Sequence, residues 1–129
     1  MTTIFEKIIS GEVPAYKTTE NDHFLATLDV HPRSKGHTLI ISKKQYNWIW
    51  DVPNFGEFCE FAKKVSLAIQ KSLQPELVSM YTYGLEVPHA HIHLIPKYPT
   101  EPEIERDKNL QLTPEKMQEI ATKIKSALI

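Results

Sequence analysis

Three of the chain's six histidines, His89, His91 and His93, fall at strict two-residue spacing within the run from Glu86 to Pro96. Ala90, Ile92 and Leu94 alternate with them. Such alternation predicts a half-buried β-strand. Residues two apart on a strand share a face, so the three imidazoles stand in a row about 6.5–7 Å apart, with Ala90, Ile92 and Leu94 turned to the core. A helix would send positions two apart to different sides. A row of imidazoles on one rigid face can hold a metal, or it can hold a phosphate and attack it. Neutral imidazole is a nucleophile, and imidazolium is a donor for phosphate oxygens. Like charges disfavour one another, so a mixed set of neutral and cationic rings is expected near pH 7. That mixture suits phosphoryl or nucleotidyl transfer through a histidine.

The run His-Ala-His-Ile-His-Leu-Ile resembles the histidine-triad motif of the HIT nucleotide-binding proteins, with Val87-Pro88 before it and Pro96 after it as in bacterial members. Two more stretches resemble the family, Thr3 to Pro14 and Leu28 to Lys43. The resemblance implies an α+β fold, an antiparallel sheet of about five strands with helices packed on it, in a single domain spanning residues 1–129. It implies a hydrolase that cleaves a nucleoside phosphoramidate or a dinucleoside polyphosphate at the α-phosphorus through a nucleotidyl-histidine intermediate. A purine nucleotide is the expected substrate and a homodimer the expected assembly. His91 becomes the nucleophile, while His37, His89 and His93 orient it and contact the phosphate oxygens. Asp29 accepts from the ribose hydroxyls, and Ile4, Phe5, Ile8, Val13, Leu28 and Val30 wall the base.

No cofactor or metal is expected. Many bacterial relatives carry Cys-x-x-Cys in a structural zinc site where this chain has Thr3 and Glu6. The eukaryotic branch has Gln-Ser where this chain has Leu85-Glu86. Glu86 cannot copy a hydroxyl, but a carboxyl whose neutral form is favoured can donate a proton to a departing amine. The alternative turns Glu86 to solvent and Val87 inward. Two other readings of the whole site stay open: a histidine-ligated metal-dependent hydrolase, and a non-catalytic nucleotide-binding module that signals by occupancy. Only Gly11, Gly36, Gly56 and Gly84 occur, and none makes a glycine-rich phosphate loop. If this chain handles phosphate, imidazoles must do it.

The elements that must position these residues follow in order. Ile4, Phe5, Ile8 and Ile9 predict a short helix stopped by Gly11. Strands are expected over Ala15 to Thr18, His23 to Leu28, His37 to Ser42 and Leu77 to Tyr83, with His31 to Gly36 as a loop. His23 and His31 match no motif and read as surface. Apolar residues at three- and four-residue spacing predict a helix from Pro53 to before Pro75, and another after Thr113 with Pro114 in its first turn. Lys97 to Asn109 reads as a solvated loop. A net charge of −1 without a dense basic patch speaks against nucleic acid. No apolar run approaches membrane-spanning length. The lone Cys59 cannot form an internal disulfide, fits a reducing compartment and reads as a buried thiol. The N-terminus lacks the layout of a signal peptide, so the cytoplasm is expected.

Overall fold

The computed structural model describes residues 3–99, 101 and 109–128, so most of the expected loop before Asn109 lies outside the described residues. In chain order the elements are α1 (Ile4–Ser10), β1 (Lys17–Glu20), β2 (Phe24–Leu28), β3 (Thr38–Ser42), a short 3-10 turn (Ile49–Asp51), α2 (Phe55–Leu73), β4 (Leu77–Tyr81), β5 (His91–Lys97) and α3 (Pro114–Ala127). The strands form one antiparallel sheet in the order β1-β2-β3-β5-β4. The α+β class and the five-stranded antiparallel sheet expected from the sequence are both present.

Local chemistry explains the element ends. Thr3 caps α1 by accepting from the Glu6 N–H, while the Glu6 carboxylate accepts from the Thr3 N–H. This reciprocal box satisfies two of the donors a helix start leaves open. Thr3 and Glu6, which stand where relatives carry zinc cysteines, are thus committed to the helix. Gly11 ends α1 at φ 83°, a left-handed conformation that glycine adopts without a Cβ clash. Thr113 caps α3 ahead of Pro114. Several boundaries differ from expectation: β2 and β3 each start one residue late, at Phe24 and Thr38. β1 starts two residues late, at Lys17, and a bulge follows it. β4 stops at Tyr81, and α2 starts at Phe55, leaving Pro53 outside. Cys59 is half-buried on α2 rather than inside the core.

The sheet is covered on both faces. On one, Ala26, Ile40, Ala90, Ile92 and Leu94 pack against Phe58, Val65 and Ile69 of α2 and against Ile120 and Ile124 of α3. On the other, Leu39 and Ile41 pack under Phe5 of α1, flanked by Ile8, Ile9 and Val87. Leu39 pairs with His93 and Ile41 with His91 across the β3–β5 ladder. Directly opposed residues share a face, so the histidine row lies on the α1 side. No helix among the described residues is long and apolar enough to cross a membrane.

Candidate active site

Three segments converge on the histidine face. β5 begins at His91, and His89 stands just before the ladder, held by bonds from the Ala90 N–H to the Tyr46 carbonyl and from the Ser42 N–H to the Ala90 carbonyl. The loop from Asp29 to His37 joins β2 to β3 and crosses the end of β5. It is pinned there by the Ser34 hydroxyl donating to the Pro96 carbonyl at 2.5 Å and the Tyr98 hydroxyl donating to the Lys35 carbonyl at 2.6 Å. Gly36 turns the loop at φ 92°; a Cβ there would sit 2.5 Å from Leu73. The Asp29 N–H donates to the His37 carbonyl at 2.9 Å, which closes the loop on itself.

The four imidazoles His37, His89, His91 and His93 are all buried, at most 8% exposed. A buried ring nitrogen needs a partner, and the partners fix which nitrogen carries each proton. His91 Nδ1 lies 2.6 Å from the His89 carbonyl, which can only accept. Nδ1 therefore carries the proton and Nε2 keeps its lone pair. His37 Nδ1 accepts from the Arg33 N–H at 3.1 Å, so His37 Nε2 carries the proton and donates to His93 Nδ1 at 2.9 Å. His93 then presents a protonated Nε2. His89 Nε2 donates to the Ser42 carbonyl at 2.5 Å, and its Nδ1 accepts from the Thr3 hydroxyl at 3.3 Å. Phe5 sets its ring edge-to-face against both His91, at 4.8 Å between centroids, and His89, at 5.7 Å.

This network corrects two expectations. Neither His37 nor His89 lines the cavity, and both nitrogens of each ring are engaged inside the protein, so neither ring offers a nitrogen to phosphate in this arrangement. Nor are His37, His91 and His93 a mixture of charged and neutral rings. Burial drives His37 down to about 3, aided by the repulsion a protonated His93 would exert and by the Arg33 charge. Burial likewise drives His93 to about 3, aided by His91 and Arg33. Burial lowers His91 as well, opposed by its bond to the His89 backbone. These three rings are neutral at pH 7.

A cavity of about 560 Å³ opens beside His91 and His93. Phe5, Leu28 and Leu39 form a buried apolar floor, while Ile4 and Val30 are exposed at the rim. Ile8, Asp29 and Glu86 also line it. Val13, expected in the wall, does not, whereas Pro14 and Ala15 beside it do. His31, read as surface, is exposed yet stands at the cavity edge. Glu86 is exposed at the rim; Val87 beside it is half-buried and lines the cavity too. Arg33 and Leu39 were missed by the sequence reading. Leu39 was legible as the residue two before Ile41 on a strand; Arg33, in an aperiodic loop, carried no signal.

Asp29 Oδ1 accepts from the His31 N–H at 2.9 Å, and Oδ2 lies 3.6 Å from His37 Nε2. Burial raises the Asp29 carboxyl, and the His31 N–H opposes it. With His37 neutral, the 3.6 Å contact is no ion pair. Asp29, His37 and His93 place one ligand atom each within 4.8 Å of one another, a spacing that could hold a metal ion. The hydrogen bonds disfavour that use. A metal on His37 Nε2 would displace the proton there and turn His37 Nδ1 into a donor facing the Arg33 N–H donor.

Two buried rings held neutral link stability to pH. The unfolded chain binds protons on them below about 6.5, the folded chain only near 3, so their contribution is complete above pH 6.5 and is lost as pH falls toward 3. In urea titrations across that window, His37→Gln is expected to flatten the fall of stability by up to ~1.4 kcal/mol per pH unit. An unchanged slope would show that His37 titrates normally in the folded chain.

The comparisons with known proteins agree with this fold. A HIT-like protein of Methanocaldococcus jannaschii without an assigned activity is 40% identical over 108 residues, covering 78% of this chain and 83% of that protein. The adenosine 5'-monophosphoramidase of Saccharomyces cerevisiae is 34% identical over 99 residues, covering 73% of this chain and 61% of that protein. The crystal structure of a histidine triad nucleotide-binding protein from Sulfolobus tokodaii superposes with a TM-score of 0.87 at 27% identity, over 97% of this chain and 91% of that one. The HIT domain family model matches residues 10–100, from the end of α1 to just past β5, and this chain belongs to the HIT domain family.

Proposed function

We propose that this protein is a nucleotide hydrolase that cleaves substrates at the α-phosphorus through a nucleotidyl-His91 intermediate. One observation carries the reading: the His89 carbonyl holds the His91 proton on Nδ1, so Nε2 has its lone pair at a cavity with an apolar floor. A neutral imidazole fixed in one tautomer is a nucleophile that needs no separate base. As Nε2 bonds to phosphorus, the ring becomes cationic, and the Nδ1–H bond to the His89 carbonyl strengthens with that charge. His93 Nε2–H donates to a phosphate oxygen. His37 and His89 are positioning residues, the first for His93 and the second for His91. Water then releases the nucleoside monophosphate and returns the lone pair to Nε2.

The purine lies across Phe5, Leu28 and Leu39, and it covers Ile4 and Val30, two apolar side chains 49% and 57% exposed at the rim. Asp29, with Oδ1 taken by the His31 N–H, keeps Oδ2 for a ribose hydroxyl. Glu86, on the rim of the same cavity, supplies the proton an amine needs as its P–N bond breaks. The kinship to an adenosine 5'-monophosphoramidase supports the amine-leaving version of this chemistry.

His91→Ala is expected to abolish turnover and shift monophosphate binding by no more than ~1–2 kcal/mol, the value of one lost contact. Mass spectrometry of quenched wild type should find a nucleotidyl adduct on His91; an adduct on His89 or His93 instead would move the nucleophile. Binding without turnover in the wild type would favour the non-catalytic module. Asp29→Asn is expected to weaken ribonucleotides by ~1–3 kcal/mol and 2',3'-dideoxynucleotides far less, whereas equal losses in calorimetry would make Asp29 a loop-stabilising residue only. Glu86→Gln should slow phosphoramidate hydrolysis by ~10²-fold, at the lower end for general acid catalysis, and dinucleoside polyphosphate hydrolysis much less. Small, equal effects on both substrates would remove Glu86 from the chemistry.

A further inference from the structure

The neutrality of the buried imidazoles leaves an electrostatic question. A phosphate chain carries several negative charges, yet the cavity meets it with neutral His91 and His93 and with the acidic side chain of Asp29. Neutral donors alone do not offset that repulsion in a partly desolvated site. Among the described lining residues, Arg33 is the only lysine or arginine.

Arg33 is built into the site from both ends. Its backbone N–H sets the His37 tautomer, so its Cα is fixed relative to the histidine chain. Its guanidinium donates through Nη1 to the Tyr81 hydroxyl, and its central carbon lies 5.2 Å from the Tyr81 ring centroid. Tyr81 is the β-ladder partner of His93, and its ring stacks on the His93 imidazole at 4.8 Å with 13° between planes. The guanidinium is thereby held on the His93 side of the cavity by a tyrosine that also fixes His93. No carboxylate among the described residues forms an ion pair with it. A guanidinium carries five N–H donors, and the tyrosine takes one.

Resting on the hydrolase reading above, we propose that Arg33 forms an anion subsite for the leaving group, so that the site accepts nucleotides whose α-phosphate is followed by a further phosphate, as in dinucleoside polyphosphates. The α-phosphoryl group lies between His91 and His93, and the next phosphate lies toward Arg33. As the His91 Nε2–P bond forms, the bond from phosphorus to the bridging oxygen breaks. The electron pair goes to that oxygen, and the Arg33 guanidinium takes up the charge that develops on the departing phosphate. No proton has to be supplied, since a phosphate leaves as the anion. Glu86 and Arg33 thus serve different leaving groups from different parts of one cavity.

The test compares wild type, Arg33→Gln and Arg33→Lys on diadenosine tetraphosphate and on adenosine 5'-phosphoramidate. Loss of a charge-assisted contact predicts that Arg33→Gln lowers kcat/KM for the tetraphosphate about ten- to hundredfold. The phosphoramidate should lose less than about threefold, which also shows that the variant is folded, and Arg33→Lys should recover much of the tetraphosphate activity because the cation returns. Equal losses on the two substrates overturn the proposal and assign Arg33 to the α-phosphate or to the support of Tyr81. A binding arm separates this idea from the hydrolase reading: calorimetry with adenosine monophosphate and with the non-hydrolysable α,β-methylene analogue of adenosine diphosphate. If wild type turns over neither substrate, the hydrolase reading fails, and the subsite still stands when Arg33→Gln weakens the analogue about tenfold more than the monophosphate. Equal weakening, or binding of neither ligand, overturns it.

Discussion

Everything at the candidate site depends on where buried imidazole nitrogens find their partners. A ring sealed between a sheet and a helix cannot borrow water to satisfy its second nitrogen. Each histidine here is therefore answered by the protein: His91 by the His89 carbonyl, His89 by the Ser42 carbonyl and the Thr3 hydroxyl, His37 by the Arg33 N–H, His93 by His37. Backbone groups at several of these ends do not titrate, so they hold the tautomers over a wide pH range. The strand supplies the spacing, but the tautomers come from segments far away in sequence.

The same burial decides the electrostatics. Phe5 and its neighbours on α1 close the histidine face, and desolvation is the largest influence on His37, His91 and His93. The cost of charging a ring outweighs anything a neighbouring ring contributes. Neutral His91 and His93 make a better nucleophilic surface than an anion trap, and this gives Arg33 its significance: among the described lining residues, the fixed positive charge comes from a loop, not from the motif.

Much of this was legible in the chain. The alternation from His89 to Leu94, the stop at Gly11 and the cap at Thr113 each express a local rule, and the elements formed there, although β5 begins only at His91 and leaves His89 ahead of it. The histidine face followed, since strand parity assigns faces without tertiary information; the apolar wall was expected only from the family resemblance. What failed had tertiary causes. Spacing told that like charges would compete but not that α1 would bury them, hence the wrong expectation of mixed protonation. Val13 and Ala15 sit in the aperiodic segment between α1 and β1, where no periodicity says which side chain turns inward. Cys59 fits the helical repeat beside Phe58 yet falls on its boundary, half-exposed. Arg33 and Tyr81 meet across 48 residues of chain, and neither position announces the other.

The chain of donors that runs through His37 to His93 begins at a backbone amide, the Arg33 N–H. An amide proton of that kind is not given up at ordinary pH, and the ring that accepts from it resists taking a second proton. The chain is consequently a brace and not a proton wire: it can orient His93, but it cannot carry a proton from bulk water through the body of the protein to the cavity. Any proton that the chemistry consumes or releases has to pass through the cavity mouth, where Glu86 and the solvent meet. For the hydrolase proposed above, the rim, more than the buried histidines, is therefore where protons enter and leave.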